Sequence, residues 1–99
     1  MRAHWRHARY GRLITETLDA LVRDELSDPA LEDVALTEME LSPDGQLLRA
    51  WFVAKDMEAA GGALARSEGF LRVMLSQRLS LKRIPHLFFE PDPRGGGAV

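Results

Sequence analysis

Cysteine is absent from this 99-residue chain, which removes disulfides, thiolate nucleophiles and thiolate metal sites together. A reducing, cytoplasmic setting is the expectation that follows. Aromatic residues make up only 7%, and no apolar run approaches the roughly 20 residues that a membrane-crossing helix needs, so no membrane association is expected. The charged N-terminus is followed by no apolar stretch, and no secretory signal is read there. The nucleophile elbow, the phosphate-cradling glycine loop and the dinucleotide fingerprint are all missing as well. What remains, 45% hydrophobic and 28% charged, is the composition of an ordinary globular domain. One domain of this size should bury roughly two-thirds of the surface its unfolded chain exposes.

The net charge of −2 conceals a segregation along the chain. Arg2, Arg6, Arg9 and Arg12 form an N-terminal block without an acid, Glu16 to Glu40 holds nine acids and one base, and Arg66 to Arg83 holds five bases against Glu68. Two basic blocks separated by an acidic one suggest a face made for a polyanion, although solvated helix faces would account for the same pattern.

Ile14, Leu18, Leu21, Val22 and Leu26 have the spacing of a helix that covers a core on one side. Ser27-Asp28-Pro29 ends it, because proline cannot supply the next amide. From Val34 to Leu41 the period becomes two, with Ala35, Thr37, Met39 and Leu41 set against Leu36, Glu38 and Glu40, and Ser42-Pro43-Asp44-Gly45 then makes a tight turn into a second strand over Leu47 to Ala54. If Leu48, Ala50, Phe52 and Ala54 face the helices, Arg49 and Trp51 lie on the opposite face, where Trp51 either stacks on a base, meets a protein partner, or packs on a cross-strand neighbour such as Leu36. Asp56 caps a second helix through Met57, Ala60, Ala63 and Leu64. Phe70, Met74, Gln77 and Leu81, with Leu71, Leu75 and Leu79 beside them, make a third, and Leu87-Phe88-Phe89 makes a last strand. The order α-β-β-α-α-β predicts an α+β domain with a three-stranded mixed sheet covered on one face by three helices. Residues 1–12 form a basic arm or the start of the first helix, 13–93 the domain, and 94–99 a flexible tail.

Between the second and third helices stands Ser67-Glu68-Gly69. Glycine inside a helix costs about 1 kcal/mol against alanine, so a helix-kink-helix is expected, with Ser67 capping the third helix and Gly69 easing the angle. Free amides at that helix start would suit a phosphate, yet the Glu68 carboxylate would repel one. The attraction is therefore assigned to the neighbouring Arg66, Arg72, Arg78, Lys82 and Arg83, together with the N-terminal arginines. Arg72 and Arg78 are offset by about 120° around the helix, so a broad basic surface is expected.

Catalytic groupings are weak. His4 and His7 have helical spacing for a shared metal but no acid completes a site, and His86 stands alone between proline and an apolar strand. Asp24, Glu25, Asp28, Glu32 and Asp33 lack the ligand pattern of a calcium loop. No enzyme activity, metal, cofactor or small-molecule substrate is expected.

The segments "DELSDPALEDVALTEMELSPDGQLLRAWFV", "SEGFLRVMLSQRL" and "LKRIPHLFFEPDP", in this order, resemble the ribosome-binding factor A family over Leu13 to Pro93. The resemblance rests on Asp28-Pro29-x-Leu31, on the glycine kink before an aromatic at Gly69-Phe70, and on the run from Arg83 to Phe89. It implies a type II KH-like fold whose usual glycine-rich loop is replaced by an Ala-x-Gly kink, with Ser67 standing where the alanine would be. It further implies a non-catalytic, cytoplasmic, monomeric RNA-binding factor acting on the small (30S) subunit and its 16S rRNA during late maturation and rRNA processing, in a setting that includes cold adaptation. Arg66, Ser67, Gly69, Arg72, Arg78, Lys82, Arg83 and the arm's Arg2, Arg6, Arg9 and Arg12 are the expected RNA contacts, with Arg49 and Trp51 as a secondary contact. The alternative is a protein-interaction adaptor that uses the sheet face around Trp51.

Overall fold

Helix α1, Arg2–Glu25, absorbs the expected basic arm as its own first turns. In a computed structural model, the backbone of residues 2–94 and the side chains of residues 11–94 are described. Ile14, Leu18, Leu21 and Val22 are buried along one side of α1, as their spacing predicts. The helix stops where proline approaches, and Asp28 Oδ1 accepts the Ala30 amide at 2.9 Å to start a short 3-10 turn, Pro29–Leu31, that buries Leu31.

Strands β1, Ala35–Leu41, and β2, Leu47–Val53, pair antiparallel through a turn in which the Gly45 amide donates to the Ser42 carbonyl at 2.8 Å. Gly45 has φ 74°, the left-handed conformation that favours glycine. Strand β3, His86–Pro91, lies parallel to β2, which gives a mixed sheet in the order β1-β2-β3. Helices α2, Met57–Arg66, and α3, Glu68–Leu79, complete the α-β-β-α-α-β order. Leu48 and Phe52 of β2 and Leu87 of β3 meet α1, α2 and α3 in one core, and the other sheet face is left open.

Three local expectations are corrected. The first concerns β1, where a bulge between Leu36 and Glu38 resets the alternation. Leu36 packs on the core together with Met39 and Leu41, whereas Ala35 and Thr37 are exposed. Leu36 pairs with Phe52, and the residue opposite Trp51 is Glu38. Secondly, Ser67 does not cap α3. Its backbone stays near-helical (φ −87°, ψ −3°) and its hydroxyl donates to the Ala63 carbonyl at 2.9 Å, so it closes α2 and leaves the break between the helices at one residue. Finally, Phe70 is 47% exposed, because Leu71 and Leu75 form the inward side of α3.

Arg94, the first residue of the expected tail, is anchored by its Nη2 to Glu38 Oε1 at 2.7 Å, and residues 95–99 lie outside the described residues. It belongs to a buckle across the end of the sheet. The bulged Thr37 donates its hydroxyl to Asp92 Oδ2 at 2.7 Å, the Arg94 amide donates to Asp92 Oδ1 at 2.9 Å, and the Asp92 amide donates to the Phe52 carbonyl at 2.8 Å. The Thr37 hydroxyl, then the Arg94 amide and guanidinium, lower the Asp92 carboxyl from an ordinary 3.8 to about 2 against the opposing effect of burial.

Because that carboxyl is depressed in the folded state, its stabilising contribution is complete above the ordinary value and disappears as pH falls toward 2. Asp92→Asn should therefore lower the thermal midpoint at neutral pH, and the gap to wild type should close between about pH 4 and pH 2 in a calorimetric series. Glycines separate by space. A Cβ on Gly61 would meet Phe52 Cζ at 3.3 Å, while one on Gly69 would meet nothing within 4 Å. Gly69→Ala should raise unfolding free energy by up to about 1 kcal/mol in urea, and Gly61→Leu should lower it.

Candidate nucleic-acid interface

Helix α3 divides its residues among three sides. Leu71 and Leu75 enter the core. Glu68, Arg72 and Ser76, spaced by four, form a polar stripe against which the chain runs back from the end of α3 to β3. Ser76 Oγ donates to the Leu81 carbonyl at 3.2 Å. Arg72 donates from Nη2 to the Ile84 carbonyl at 3.0 Å and from Nε to the Pro85 carbonyl at 3.2 Å, and Glu68 Oε2 accepts the Leu87 amide at 2.9 Å. One helix face thus satisfies backbone groups that no strand or helix partner reaches. The third side carries Phe70, Val73 and Gln77, all exposed, with Arg66 one turn before them on α2.

This arrangement sorts the expected contacts. Arg72 is half-buried and committed to two carbonyls, so it is a structural clamp and not a free cation. Arg78 Nη2 lies 3.2 Å from Glu25 Oε2, which ties the end of α3 to the end of α1. Arg66 is the more available, with its side chain 71% exposed and only a 3.6 Å approach to Asp28. Lys82 and Arg83 are exposed on the returning loop and form no ion pair among the described residues, and the same holds for Arg12 on α1. Arg2, Arg6 and Arg9 belong to α1, with side chains outside the described residues, as are those of His4 and His7. Ser67 turns its hydroxyl back into α2, and Gly69 lies open on the outer surface.

Glu68 departs from its expected part. Its carboxylate is engaged by the Leu87 amide and lies 3.7 Å from His86 Nδ1, so it serves the edge of β3. A cleft of about 480 Å³ adjoins it, lined by Ala65, Glu68, His86, Leu87, Phe88 and Phe89. A second cleft, of about 320 Å³ between α1 and β1, presents Glu16, Asp19 and Glu38, charges that oppose a polyanion. On the open sheet face Arg49 pairs with Glu90 at 3.0 Å, and its guanidinium lies 5.8 Å from the ring centre of the half-buried Trp51. The exposed cations near α3 without a close partner among the described residues thus reduce to Arg66 at the end of α2 and Lys82 and Arg83 on the loop held along the polar stripe. Phe70, which sequence reasoning placed in the apolar pattern of α3, and Val73, which it did not single out, are exposed on the outer side of the helix.

A family model of ribosome-binding factor A matches residues 6–95. The chain belongs to the ribosome-binding factor A family. Ribosome-binding factor A of Heliobacterium modesticaldum is 36% identical over 91 residues, covering 88% of this chain and 75% of that protein. The crystal structure of ribosome-binding factor A from Thermus thermophilus superimposes with a TM-score of 0.79 at 30% identity, covering 85% of this chain and 92% of that one. Coordinates of the Thermus thermophilus protein fitted into a cryo-EM map of a 30S complex match at 32% identity with a TM-score of 0.66, covering 84% of this chain and 93% of that one. The fold shared with other members of the ribosome-binding factor A family is the three-stranded mixed sheet with three helices. No helix among the described residues is long and apolar enough to cross a membrane.

The clamp is testable apart from any ligand. Arg72→Ala leaves the Ile84 and Pro85 carbonyls without their donors, and a loss of about 1–3 kcal/mol in unfolding free energy is expected, read by urea denaturation. Arg72→Lys should recover only part of it, since an ammonium lacks the guanidinium fork.

Proposed function

We propose that this chain binds RNA of the small ribosomal subunit through the outer side of α3 and the loop that returns along it, and acts there without catalysis during late 30S maturation and 16S rRNA processing. Arg66, Lys82 and Arg83 supply the phosphate attraction, with Arg12 and the arginines of the first turns of α1 extending it. The observation that carries the reading is a set of three exposed cations, Arg66 at the end of α2 and Lys82 and Arg83 on the loop held along the polar stripe of α3, beside a stripe whose one acid, Glu68, is already bonded to the Leu87 amide. The family relationship and the 30S complex of the Thermus thermophilus relative support the choice of RNA. The protein acts as a cytoplasmic monomer under this reading, with a place in growth at low temperature.

A protein-interaction role for the open sheet face draws on Phe88, which is 57% exposed. It loses weight at Trp51, whose ring is partly covered and engaged by Arg49.

Co-sedimentation with purified small subunits across a salt series separates the two. Changing Arg66, Lys82 and Arg83 together to glutamine should weaken binding strongly at low salt and reduce the magnitude of the log–log salt slope by about 2, at ~0.7 per single-strand phosphate. Trp51→Ala should leave binding unchanged. Undiminished binding by the triple variant, with loss in Trp51→Ala, would transfer the function to the sheet face.

A further inference from the structure

The outer side of α3 has features that the fold does not require. Phe70 is 47% and Val73 55% exposed, one helical turn apart, and neither belongs to the hydrophobic core or the residues packed against it. Gly69 beside them is equally unforced. Its φ is not positive, and a Cβ there would touch nothing within the chain, so neither conformation nor internal packing calls for glycine at a helical position where it is costly. An exposed aromatic next to a glycine with open space on its surface leaves room for a flat group to approach the helix backbone. Arg66, the last residue of α2, stands four residues before Phe70 across the break, and its side chain is 71% exposed.

We propose that Phe70 is a stacking platform for an unpaired RNA base, with Arg66 on an adjoining phosphate and Gly69 admitting the nucleotide to the helix surface. The surface around α3 then takes single-stranded RNA in preference to duplex. This deepens the RNA-binding reading above and rests on it. Stacking needs an exposed base face, which a paired strand keeps inside its own stack, whereas a loop or an end offers it freely. Charge favours RNA over an apolar protein partner. Arg66, Gly69, Phe70, Val73 and Gln77 include no acid, and Lys82 and Arg83 stand on the loop that Arg72 and Ser76 hold along the same helix.

The test uses the full chain at low salt, a short single-stranded RNA carrying 2-aminopurine, and the duplex formed with its complement. The single strand should bind at least about tenfold more tightly than the duplex, with a change in 2-aminopurine fluorescence. Phe70→Ala and Phe70→Leu should each lose about five- to a hundredfold in affinity together with the fluorescence change, and Phe70→Trp should keep both. Full affinity in Phe70→Leu with loss in Phe70→Ala would mean an apolar contact without stacking, as for a protein-docking surface, and would overturn the proposal. If Phe70→Ala binds like wild type while the Arg66, Lys82 and Arg83 glutamine variant does not, stacking falls and the RNA-binding reading stands. Equal binding of duplex and single strand removes the strand preference, and binding of neither RNA by wild type removes both readings.

Discussion

The polar stripe of Glu68, Arg72 and Ser76 on α3 governs how the rest of the molecule is arranged. The chain between α3 and β3 has no regular partner for its backbone groups, and each buried group left unpaired would cost about 1–3 kcal/mol. By bonding Leu81, Ile84, Pro85 and Leu87 in turn, the stripe sets the start of β3 and hence its register on β2. It also orients α3. With one side given to the returning loop and another to the core through Leu71 and Leu75, the third side, bearing Phe70 and Val73, is turned to solvent. The accessible surface is thus a consequence of how the loop is held.

The same constraint changes the electrostatics. A guanidinium bonded to two carbonyls at 3.0 and 3.2 Å keeps its charge but cannot reach toward a phosphate without releasing the loop. Glu68, a carboxylate that would repel RNA if free, is turned to the β3 edge instead. The acidic block of the sequence is also drawn in, since Glu25 meets Arg78 and Asp28 approaches Arg66. Exposed pairs of this kind contribute about 0–1 kcal/mol, so Arg66 can exchange Asp28 for a phosphate at little cost. Lys82 and Arg83 have no such partner to leave among the described residues.

Much of this was legible in the sequence because its causes are local. Proline at 29 ends α1, Ser42 to Gly45 builds the turn, Asp56 caps α2, and the apolar spacing of α1 and β2 names their buried sides; each depends on residues within a few positions of one another. The bulge in β1 was not legible. Its alternation reads equally well from either end, and the shorter bond of the Thr37 hydroxyl goes to Asp92, which is distant in sequence and fastens β1 to the end of β3. Phe70 with Met74, or Leu71 with Leu75, would each make an amphipathic helix, and no property of the helix alone decides between them.

By itself the sequence determined the element order, the positions of the turns and caps, and the presence of two basic blocks, because backbone chemistry and side-chain period act over short distances. Tertiary structure alone decided which arginines remain free, which acid is spent on a strand edge, and which aromatic faces water. Those outcomes depend on contacts between α3, the loop after it and β3, and a side chain's partners there are set by folding and not by its neighbours in the chain.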